Sequence, residues 1–472
     1  MNPGSHQERL SQSKTVAVVG GGLAGLAAGC ALAGAGFRVT LFERRPYLGG
    51  RASSYQHPGT GEVVDNCQHL LLGCCTNLVQ FYRRISVADK IGWSDQFTFI
   101  EPGGRASVIR PSALPAPFHT APGFWRAACL GFGDKLSIGR AMLALIPKEP
   151  TDNGESFLAW LERHGQTQAA IDRFWKGLLV SALNEDLERI AVPYAAQVVR
   201  KSFLMSAAGG RIGLPRVPLS ELYGAAGEYI KAQGGVVQLR STIESFQAND
   251  SRVAVRATDS ECSFDYAVLA VPFDALTRLL PETPLAEPLR QAVQKFDTSP
   301  ITGIHLWFDR EISTLDHAVL LDRTIQWMFN KSRLLGEASE GGASHVELVV
   351  SSSKSLVERS KQDIIELAVK ELSEFFPTAR EATVLKATVI KEIHATYSPR
   401  PGIDKFRPTN TTPWPRVFLA GDWTATGWPA TMEGAVRSGY LAAEHLMKSA
   451  GQPETAFLLP DLKAQGLMRL IG

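Results

Sequence analysis

A run of six residues near the beginning of the chain has the types and spacing that bind a phosphate. Residues 20–25 read GGGLAG and fit the pattern GxGxxG between a β-branched run and an Ala- and Leu-rich run. Gly20 permits a tight turn, Gly22 lets the backbone approach a pyrophosphate, and Gly25 permits close packing of a helix on a strand. The helix that begins there would present unpaired N–H groups to an anion. The run therefore predicts a dinucleotide-binding site.

The residues that follow suggest which dinucleotide is bound. Glu43 ends the next β-like run, where its carboxylate would accept hydrogen bonds from ribose hydroxyls. Arg44 follows directly, and a Gly49-Gly50 turn then leads into Arg51. This glycine pair followed by arginine resembles the signature of the amine oxidase and phytoene desaturase superfamily, in which the segment passes over the pyrophosphate and flavin of FAD.

The far end of the chain carries two further motifs of the same superfamily. Residues 418–423, FLAGDW, are similar to its GD motif, whose aspartate binds the ribityl chain of FAD. Residues 428–435, WPATMEGA, resemble the stretch that begins the last helix beneath the flavin, where a helix N-terminus stabilises negative charge on the reduced ring. The resemblance implies these FAD-binding residues: Gly20, Gly22, Leu23, Ala24, Gly25, Glu43, Arg44, Gly49, Gly50, Arg51, Ile243, Gly421, Asp422, Thr431 and Met432.

Regular elements must position these residues. Residues 15–19, 23–35 and 38–43 form a strand, a helix and a strand, which is a complete βαβ unit. Residues 76–205 lack an alternating pattern and are predicted to be mostly helical. Further strands are predicted in the regions 234–246, 251–258, 266–272, 300–309, 344–351 and 417–423, and further helices at 360–376 and 432–445.

The order of these elements predicts two interleaved domains. The predicted fold class is α/β, with a Rossmann-like FAD-binding domain of the GR2 flavoprotein type interleaved with an α+β substrate-binding domain. We assign residues 14–75, 206–280 and 395–450 to the FAD domain, and residues 76–205 and 281–394 to the substrate domain. Residues 451–472 form an amphipathic C-terminal tail.

One segment narrows the resemblance. Residues 63–84, which contain DNCQHLLLG, resemble the squalene-associated flavoproteins, the hydroxysqualene dehydroxylases of hopanoid biosynthesis. This resemblance implies an FAD-dependent oxidoreductase that removes the hydroxyl group of a C30 isoprenoid, hydroxysqualene, by hydride transfer from reduced flavin to give squalene. Its electron donor would be NAD(P)H or a separate reductase, because the sequence has a single dinucleotide fingerprint.

Such a reaction needs an acid, a group that tolerates positive charge and an apolar tunnel. His69 and Asp65, beside the flavin loop, are the candidate proton donors, and the ring face of Tyr397 is a candidate for stabilising a cation. A hydrogen-bonded histidine, a turn cap and plain packing are the structural alternatives for these three side chains. Candidate tunnel residues are the aromatic side chains Phe174, Trp175, Trp307, Phe308, Trp327 and Phe329, each of which could equally fill the core.

Three other functions remain open at this point. A carotenoid- or phytoene-type desaturase or isomerase would use the same fold on a similar polyene. An amine oxidase would place a lysine on the strand at 300–309 and an aromatic residue at position 431, whereas this chain has no lysine there and has Thr431. A lipid carrier that has lost its flavin would lack the glycine and Asp422 motifs that this chain retains.

Net charge, cysteine spacing and amphipathic segments indicate which classes of partner to expect. The formal charge is +2, which gives no reason to expect nucleic-acid binding, and the six cysteines have no zinc or disulfide spacing, so no metal is expected. The segments 121–147 and 455–472 mix large apolar with basic residues and are amphipathic. We therefore expect a cytoplasmic protein that lies peripherally on the inner face of the cell membrane without crossing it.

Overall fold

A five-stranded parallel sheet contains the predicted βαβ unit. The structure is a computed structural model that describes residues 13–147, 149–258, 260–337 and 342–471. In spatial order the strands of this sheet, the FAD sheet, are β10 (Val236–Leu239), β2 (Arg38–Glu43), β1 (Thr15–Val19), β14 (Tyr266–Leu269) and β20 (Val417–Leu419).

The central strands are apolar because both faces of the sheet are covered. Strand β1 is buried from Val16 onwards, as expected for a β-branched run in the middle of a parallel sheet. Helix α1 (Leu23–Gly34) covers one face and crosses the last long helix, α14 (Met432–Ser449). A Cβ added at Gly439 would lie 2.3 Å from the carbonyl oxygen of Ala24, so glycine allows this close crossing.

A second sheet of seven strands faces the first across the functional cavity. Its spatial order is β19 (Val384–Tyr397), β15 (Thr298–Phe308), β18 (Ser344–Ser351), β17 (Trp327–Asn330), β16 (His317–Leu320), β7 (Phe97–Ile100) and β8 (Ala106–Ile109). The pairs are antiparallel except β16 with β7. One face packs on helix α13 (Lys361–Phe375) through side chains such as Leu306 and Leu348, which leaves the other face for the cavity.

Three smaller sheets contain the remaining strands. They consist of β3 (Ser54–Gln56) with β4 (Val63–Asp65); β5 (Leu71–Leu72), β9 (Ile212–Pro215) and β6 (Ile91–Ser94); and β11 (Ile243–Ala248), β12 (Val253–Ala257) and β13 (Ser260–Phe264). The remaining helices are α2 (Thr76–Arg84), α3 (Ala121–Arg126), α4 (Phe132–Ala144), α5 (Phe157–Arg163), α6 (Gln168–Ala170), α7 (Lys176–Leu183), α8 (Val192–Val199), α9 (Leu219–Ala232), α10 (Phe273–Leu279), α11 (Glu287–Val293) and α12 (Lys331–Leu334).

The predicted α/β fold class is confirmed, and the segment 76–205 is the main correction. This segment contains the strands β6, β7 and β8 as well as helices. Strand β7 has only four residues, and its partner β16 lies more than 200 residues later in the chain, so no local pattern marks it. The long edge strand β19 also escaped prediction, because exposed and half-buried residues dominate it.

The domain boundaries stay a prediction, but the packing shows how each segment contributes. Every strand of the FAD sheet comes from a segment assigned to the FAD domain. Helix α2, assigned to the substrate domain, instead buries Leu78, Phe81 and Tyr82 in the same core as β1 and α14. The tail lies on the body of the protein, where the N–H groups of Gln465 and Leu467 donate to the carbonyl oxygens of Met205 and Ala116.

Candidate functional site

A cavity of about 740 Å³ lies between the two large sheets. One end is lined by the glycine turns and the GD motif, and the other by apolar side chains of the seven-stranded sheet and its covering helices. Of the fifteen predicted FAD-binding residues, fourteen line it: Gly20, Gly22, Leu23, Ala24, Glu43, Arg44, Gly49, Gly50, Arg51, Ile243, Gly421, Asp422, Thr431 and Met432. Residues from both ends of the chain therefore meet in one site.

The first helix offers an anion site built from backbone alone. Helix α1 begins after Gly22, whose φ of −76° is extended, and it has neither a capping side chain nor an acidic residue in its first turn. A Cβ added at Gly22 would approach only Gly50, at 3.8 Å, because the residue faces the cavity. At Gly25 an added Cβ would lie 1.9 Å from the carbonyl oxygen of Gly20, so Gly25 serves packing and does not line the cavity. These features fit a pyrophosphate.

Glu43 is positioned to bind a ribose. Its carboxylate is buried and accepts the N–H of Gly21 through Oε2 and the N–H of Arg45 through Oε1, both at 2.7 Å. Each carboxylate oxygen retains further acceptor capacity towards the cavity. The two backbone hydrogen bonds therefore fix the orientation of the carboxylate, and ribose hydroxyls would complete its hydrogen bonding.

An ion pair joins the second glycine turn to the GD motif. Arg51 Nη2 lies 2.5 Å from Asp422 Oδ1, and Arg51 Nη1 donates to the carbonyl oxygen of Ala395. Both side chains line the cavity, and Asp422 is nearly fully buried. The pair therefore closes the site across 371 residues of sequence and leaves Asp422 Oδ2 for a ribityl hydroxyl.

The N-terminus of the last long helix, α14, lies at the cavity. Thr431 caps helix α14 by accepting the N–H of Gly434 at 3.0 Å. Glu433, in the first turn, is among the lining residues, but its carboxylate already has partners: it accepts the N–H groups of Asn77 and Leu78 and pairs with Arg437. Because that negative charge is used by helix α2, the N-terminus of α14 remains favourable for the electron-rich pyrimidine end of a flavin.

His69 lines the same cavity and is held as a neutral ring. Its Nδ1 lies 2.6 Å from the carbonyl oxygen of Cys67. A carbonyl can only accept, so Nδ1 carries the proton and Nε2 has a free lone pair. Burial lowers the pKa of His69 below its usual value, which keeps the ring unprotonated at neutral pH. The side chain is therefore arranged to accept a proton rather than to donate one.

The structure does not support the role predicted for Asp65. Its carboxylate is buried behind the cavity, outside the lining, and accepts hydrogen bonds from Lys331 Nζ at 2.7 Å and Ser54 Oγ at 2.5 Å. Although burial alone would raise it, the pKa of Asp65 is lowered, chiefly by Lys331. An ionised, paired carboxylate has no proton to donate, so we correct Asp65 to a structural residue.

Tyr397 is also corrected. It is fully buried outside the cavity lining, and the guanidinium of Arg407 lies 5.4 Å from its ring centroid. Burial raises the pKa of Tyr397 to about 12, and its hydroxyl lies 3.3 Å from that of Tyr194. Because Tyr397 is buried outside the lining and Arg407 lies over its ring, the side chain is not placed to stabilise a substrate cation in the cavity.

Only some of the aromatic residues predicted to form a tunnel line the apolar end of the cavity. Trp327 and Phe329, stacked 5.5 Å apart, line it as predicted, whereas Phe174, Trp175, Trp307 and Phe308 lie outside the lining. Sequence reasoning missed Phe97, Leu178, Phe203 and Val349, which line this end as single apolar residues without a motif. It also missed Asn66 and Gln68, although both lie inside the DNCQHLLLG segment on which the resemblance to the squalene-associated flavoproteins rests. Among the described residues no cluster suited to a metal ion occurs.

Comparison with known proteins decides the family. Residues 23–447 match the family described as flavin containing amine oxidoreductase. The chain belongs to this family. FAD is accordingly its cofactor, and the backbone cradle, Glu43 and the free helix N-terminus described above fit that group.

Several named proteins are similar to the chain over nearly its whole length. It is 27% identical over 471 residues to 15-cis-phytoene desaturase of Synechococcus elongatus, covering 93% of this chain and 99% of that protein. It is 26% identical to a probable zeta-carotene desaturase of the same organism, covering 92% and 98%. A putrescine oxidase variant has the same fold, with a TM-score of 0.71 and 16% identity over 93% of this chain and 99% of that one. An oxidoreductase from Methanosarcina mazei gives a TM-score of 0.70 at 18% identity, covering 92% and 100%.

The Gly22→Val variant tests the phosphate cradle. The backbone at Gly22 tolerates any residue and the added side chain points into the cavity, so the protein should fold but bind FAD about 100-fold more weakly, a loss of roughly 2.7 kcal/mol. Flavin absorbance after gel filtration and titration with FAD measure this. The control is Gly224→Ala in helix α9, where an added Cβ would meet no described atom within 4 Å. Full flavin content in Gly22→Val would contradict the assignment.

Proposed function

We propose that the protein is an FAD-dependent desaturase of a linear isoprenoid hydrocarbon. The observation that carries the proposal is the composition of the cavity between the two large sheets, in which the FAD-binding residues continue into an apolar end lined by Phe97, Phe203, Trp327 and Phe329. Each methylene buried there contributes about 0.8 kcal/mol, so a long hydrocarbon needs no polar anchor. A small polar amine would gain little from such a lining.

The neutral His69 suits the oxidative direction of this chemistry. Bound FAD supplies a hydride acceptor to the cavity. A carbon–carbon single bond becomes a double bond when hydride leaves one carbon and a proton leaves its neighbour. His69 Nε2 holds the lone pair that takes this proton, and the buried walls exclude water from the carbon that loses hydride. An external two-electron acceptor, such as a quinone or dioxygen, must then restore the oxidised cofactor.

The relatives support the same direction. Those described above include proteins named as phytoene and zeta-carotene desaturases that match over nearly the whole of both chains. Amine oxidation has less support, since residues 298–308 contain no lysine and Thr431 gives no aromatic wall. We therefore prefer a polyene substrate and its desaturation to the alternatives.

Dehydroxylation of hydroxysqualene is the second candidate. It is favoured by the segment that resembles the squalene-associated flavoproteins, because residues 66–72 all line the cavity. That reaction runs in the opposite direction, with reducing equivalents from NAD(P)H or a reductase. It also needs a proton for the departing hydroxyl group, which the unprotonated Nε2 of His69 does not provide.

A direct assay separates the two reactions. The purified holoenzyme is incubated with phytoene and a quinone, and separately with hydroxysqualene and chemically reduced flavin, and the products are followed by mass spectrometry. Desaturation gives a product lighter by a pair of hydrogen atoms, which is the result we expect. Loss of an oxygen atom from hydroxysqualene, with phytoene untouched, would replace the first candidate by the second.

The His69→Gln variant tests the proton acceptor. Glutamine keeps the size of the side chain without a basic nitrogen, so we expect kcat to fall about 100- to 10,000-fold with little change in flavin content. In the native enzyme the rate should fall as the pH decreases through the lowered pKa of His69, below 6.5, because protonation occupies Nε2. Steady-state rates from pH 5 to 7.5 measure this. A variant with the native rate and acid limb would rule out the role.

We also propose that the protein takes its substrate from a membrane surface. Helix α4 exposes Phe132, Leu136 and Leu143, and the tail exposes Leu470 and Ile471. The tail and helix α4 are linked through α3: the N–H of Leu467 donates to the carbonyl oxygen of Ala116, which precedes α3, and the ring of Trp125 in α3 lies 5.8 Å from that of Phe132 in α4. No helix in the described ranges is both long enough and apolar enough to cross a bilayer.

This surface lies close to the apolar end of the cavity. The N–H of Gln465, in the tail, donates to Met205, directly after the turn that contributes Lys201, Ser202 and Phe203 to the cavity lining. Exposed Arg126 and Arg140 accompany the apolar side chains and favour anionic lipid. A hydrophobic substrate could therefore pass from the bilayer to the cavity over a short path.

Flotation with vesicles tests the membrane surface. The double variant Phe132→Ser/Leu136→Ser should bind vesicles of phosphatidylcholine and phosphatidylglycerol about tenfold more weakly, because two exposed apolar anchors are lost. The matched control is Leu385→Ser, which removes an exposed leucine from edge strand β19. Equal flotation of native protein, variant and control would contradict the proposal.

A further inference from the structure

Three buried ionisable side chains lie directly behind the loop that carries His69. Asp65 ends β4, Lys331 begins α12, and Glu347 lies in β18; each is less than a tenth exposed. Residues 66–72, which follow Asp65, line the cavity, and we call residues 65–72 the cavity loop. The cluster is not used by the chemistry described above.

Lys331 holds the cavity loop at two points. Its Nζ donates to Asp65 Oδ2 at 2.7 Å and to Gln68 Oε1 at 2.8 Å. The two contacts bridge the backbone between Asp65 and Gln68, and His69 directly follows Gln68. A single buried ammonium group therefore fixes the part of the loop that places His69 in the cavity.

Glu347 shares this ammonium group without a hydrogen bond. Its Oε2 lies 3.6 Å from Lys331 Nζ and its Oε1 lies 3.9 Å from His305 Nε2. Neither carboxylate oxygen has a hydrogen-bond partner among the described residues, although the side chain is fully buried. A charged carboxylate is costly in such a place, and burial raises the pKa of Glu347 to about 8.

The histidines nearby supply no compensating charge. His305 Nε2 donates to the carbonyl oxygen of Asp65, so its Nδ1 is unprotonated and accepts from His345 Nε2 at 3.0 Å. Burial lowers the pKa of His305 to about 4 and holds that of His345 well below its usual value. Both rings are therefore neutral, and the cluster is electrically balanced when Glu347 is protonated beside one ammonium and one carboxylate.

We infer that Lys331 and Glu347 are positioning residues for the cavity loop, and that ionisation of Glu347 at alkaline pH releases the loop from Lys331. An ionised Glu347 competes with Asp65 and Gln68 for one ammonium group and adds an uncompensated buried charge. The loop is then held less firmly. The effect on turnover rests on the proposed role of His69, whereas the effect on the loop does not.

The other titratable groups around Glu347 lie on the cavity loop and on four neighbouring elements. The cavity loop contributes Asp65, Cys67 and His69; strand β15 contributes His305; β18 itself contributes His345; α12 contributes Lys331; and β19 contributes Glu392, which accepts from Asn66 in the loop. Asp65 has a lowered pKa, the histidines are neutral, and burial raises the pKa of Cys67 well above its usual value. Glu347 is thus the group that changes charge near pH 8.

Hydrogen exchange across a pH series tests the inference on the native holoenzyme. Protection factors for peptides covering residues 65–72, corrected for intrinsic exchange, should fall by up to about tenfold for each pH unit as the pH rises towards 8, and should level off above that midpoint. The visible spectrum of the bound flavin should change with the same midpoint, because the loop and the FAD-binding residues line one cavity. Neither readout requires a substrate.

The Glu347→Gln variant should abolish this transition, since glutamine mimics the protonated acid at every pH. The matched control is Glu371→Gln, a buried glutamate that accepts the N–H groups of Thr324 and Ile325 away from the cavity and should leave the transition in place. A native enzyme without a transition, or a Glu347→Gln variant that keeps it, would overturn the inference.

Stability provides a second readout if the loop signal is weak. The pKa of Glu347 in the folded protein lies above its unfolded value of 4.5, so its contribution to stability is complete below pH 4.5 and is lost as the pH rises to about 8. The melting temperature of the native protein should therefore fall relative to that of Glu347→Gln across this window. A transition near pH 8 without turnover of any isoprenoid would refute the proposed function and leave this inference standing.

Discussion

The arrangement of the cavity depends on the unpaired N–H groups at the beginning of helix α1. They have no capping side chain and no carboxylate in the first turn, so an anionic cofactor must complete them. Gly22 and the Gly49-Gly50 turn keep side chains away from that space. Because the phosphate site is made of backbone, it leaves the surrounding side chains free to serve the ribose, the flavin and the substrate.

The far end of the chain is brought to this cradle by buried charges rather than by sheet pairing alone. Arg51 pairs with Asp422, and Glu433 binds the N-terminus of helix α2 and Arg437. Breaking either contact would leave a desolvated charge without its partner, which costs more than an exposed pair would. Two segments separated by most of the sequence are thus tied at the place where the flavin binds.

The sequence predicted what is local and missed what depends on distant partners. The glycine run, Glu43 and the GD motif each carry their chemistry within a few residues, and fourteen of the fifteen predicted FAD-binding residues line the cavity, Gly25 being the exception. Asp65 was misjudged because Lys331, whose ammonium group stabilises the ionised carboxylate, lies 266 residues away, and Tyr397 because it is buried outside the cavity lining. Strands β7 and β19 escaped for the same reason, since their partners and not their own patterns make them strands.

Proton placement links the two halves of the site. In front of the cavity loop a neutral His69 offers a lone pair, and behind it a protonated Glu347 keeps the buried cluster balanced. Both states follow from desolvation, which lowers the pKa of an imidazole and raises that of a carboxyl group. The same burial that makes the cavity fit for a hydrocarbon thus sets a base on its lining and an acid behind its wall. A less enclosed site would weaken both effects together, because water would return the two pKa values towards their ordinary range.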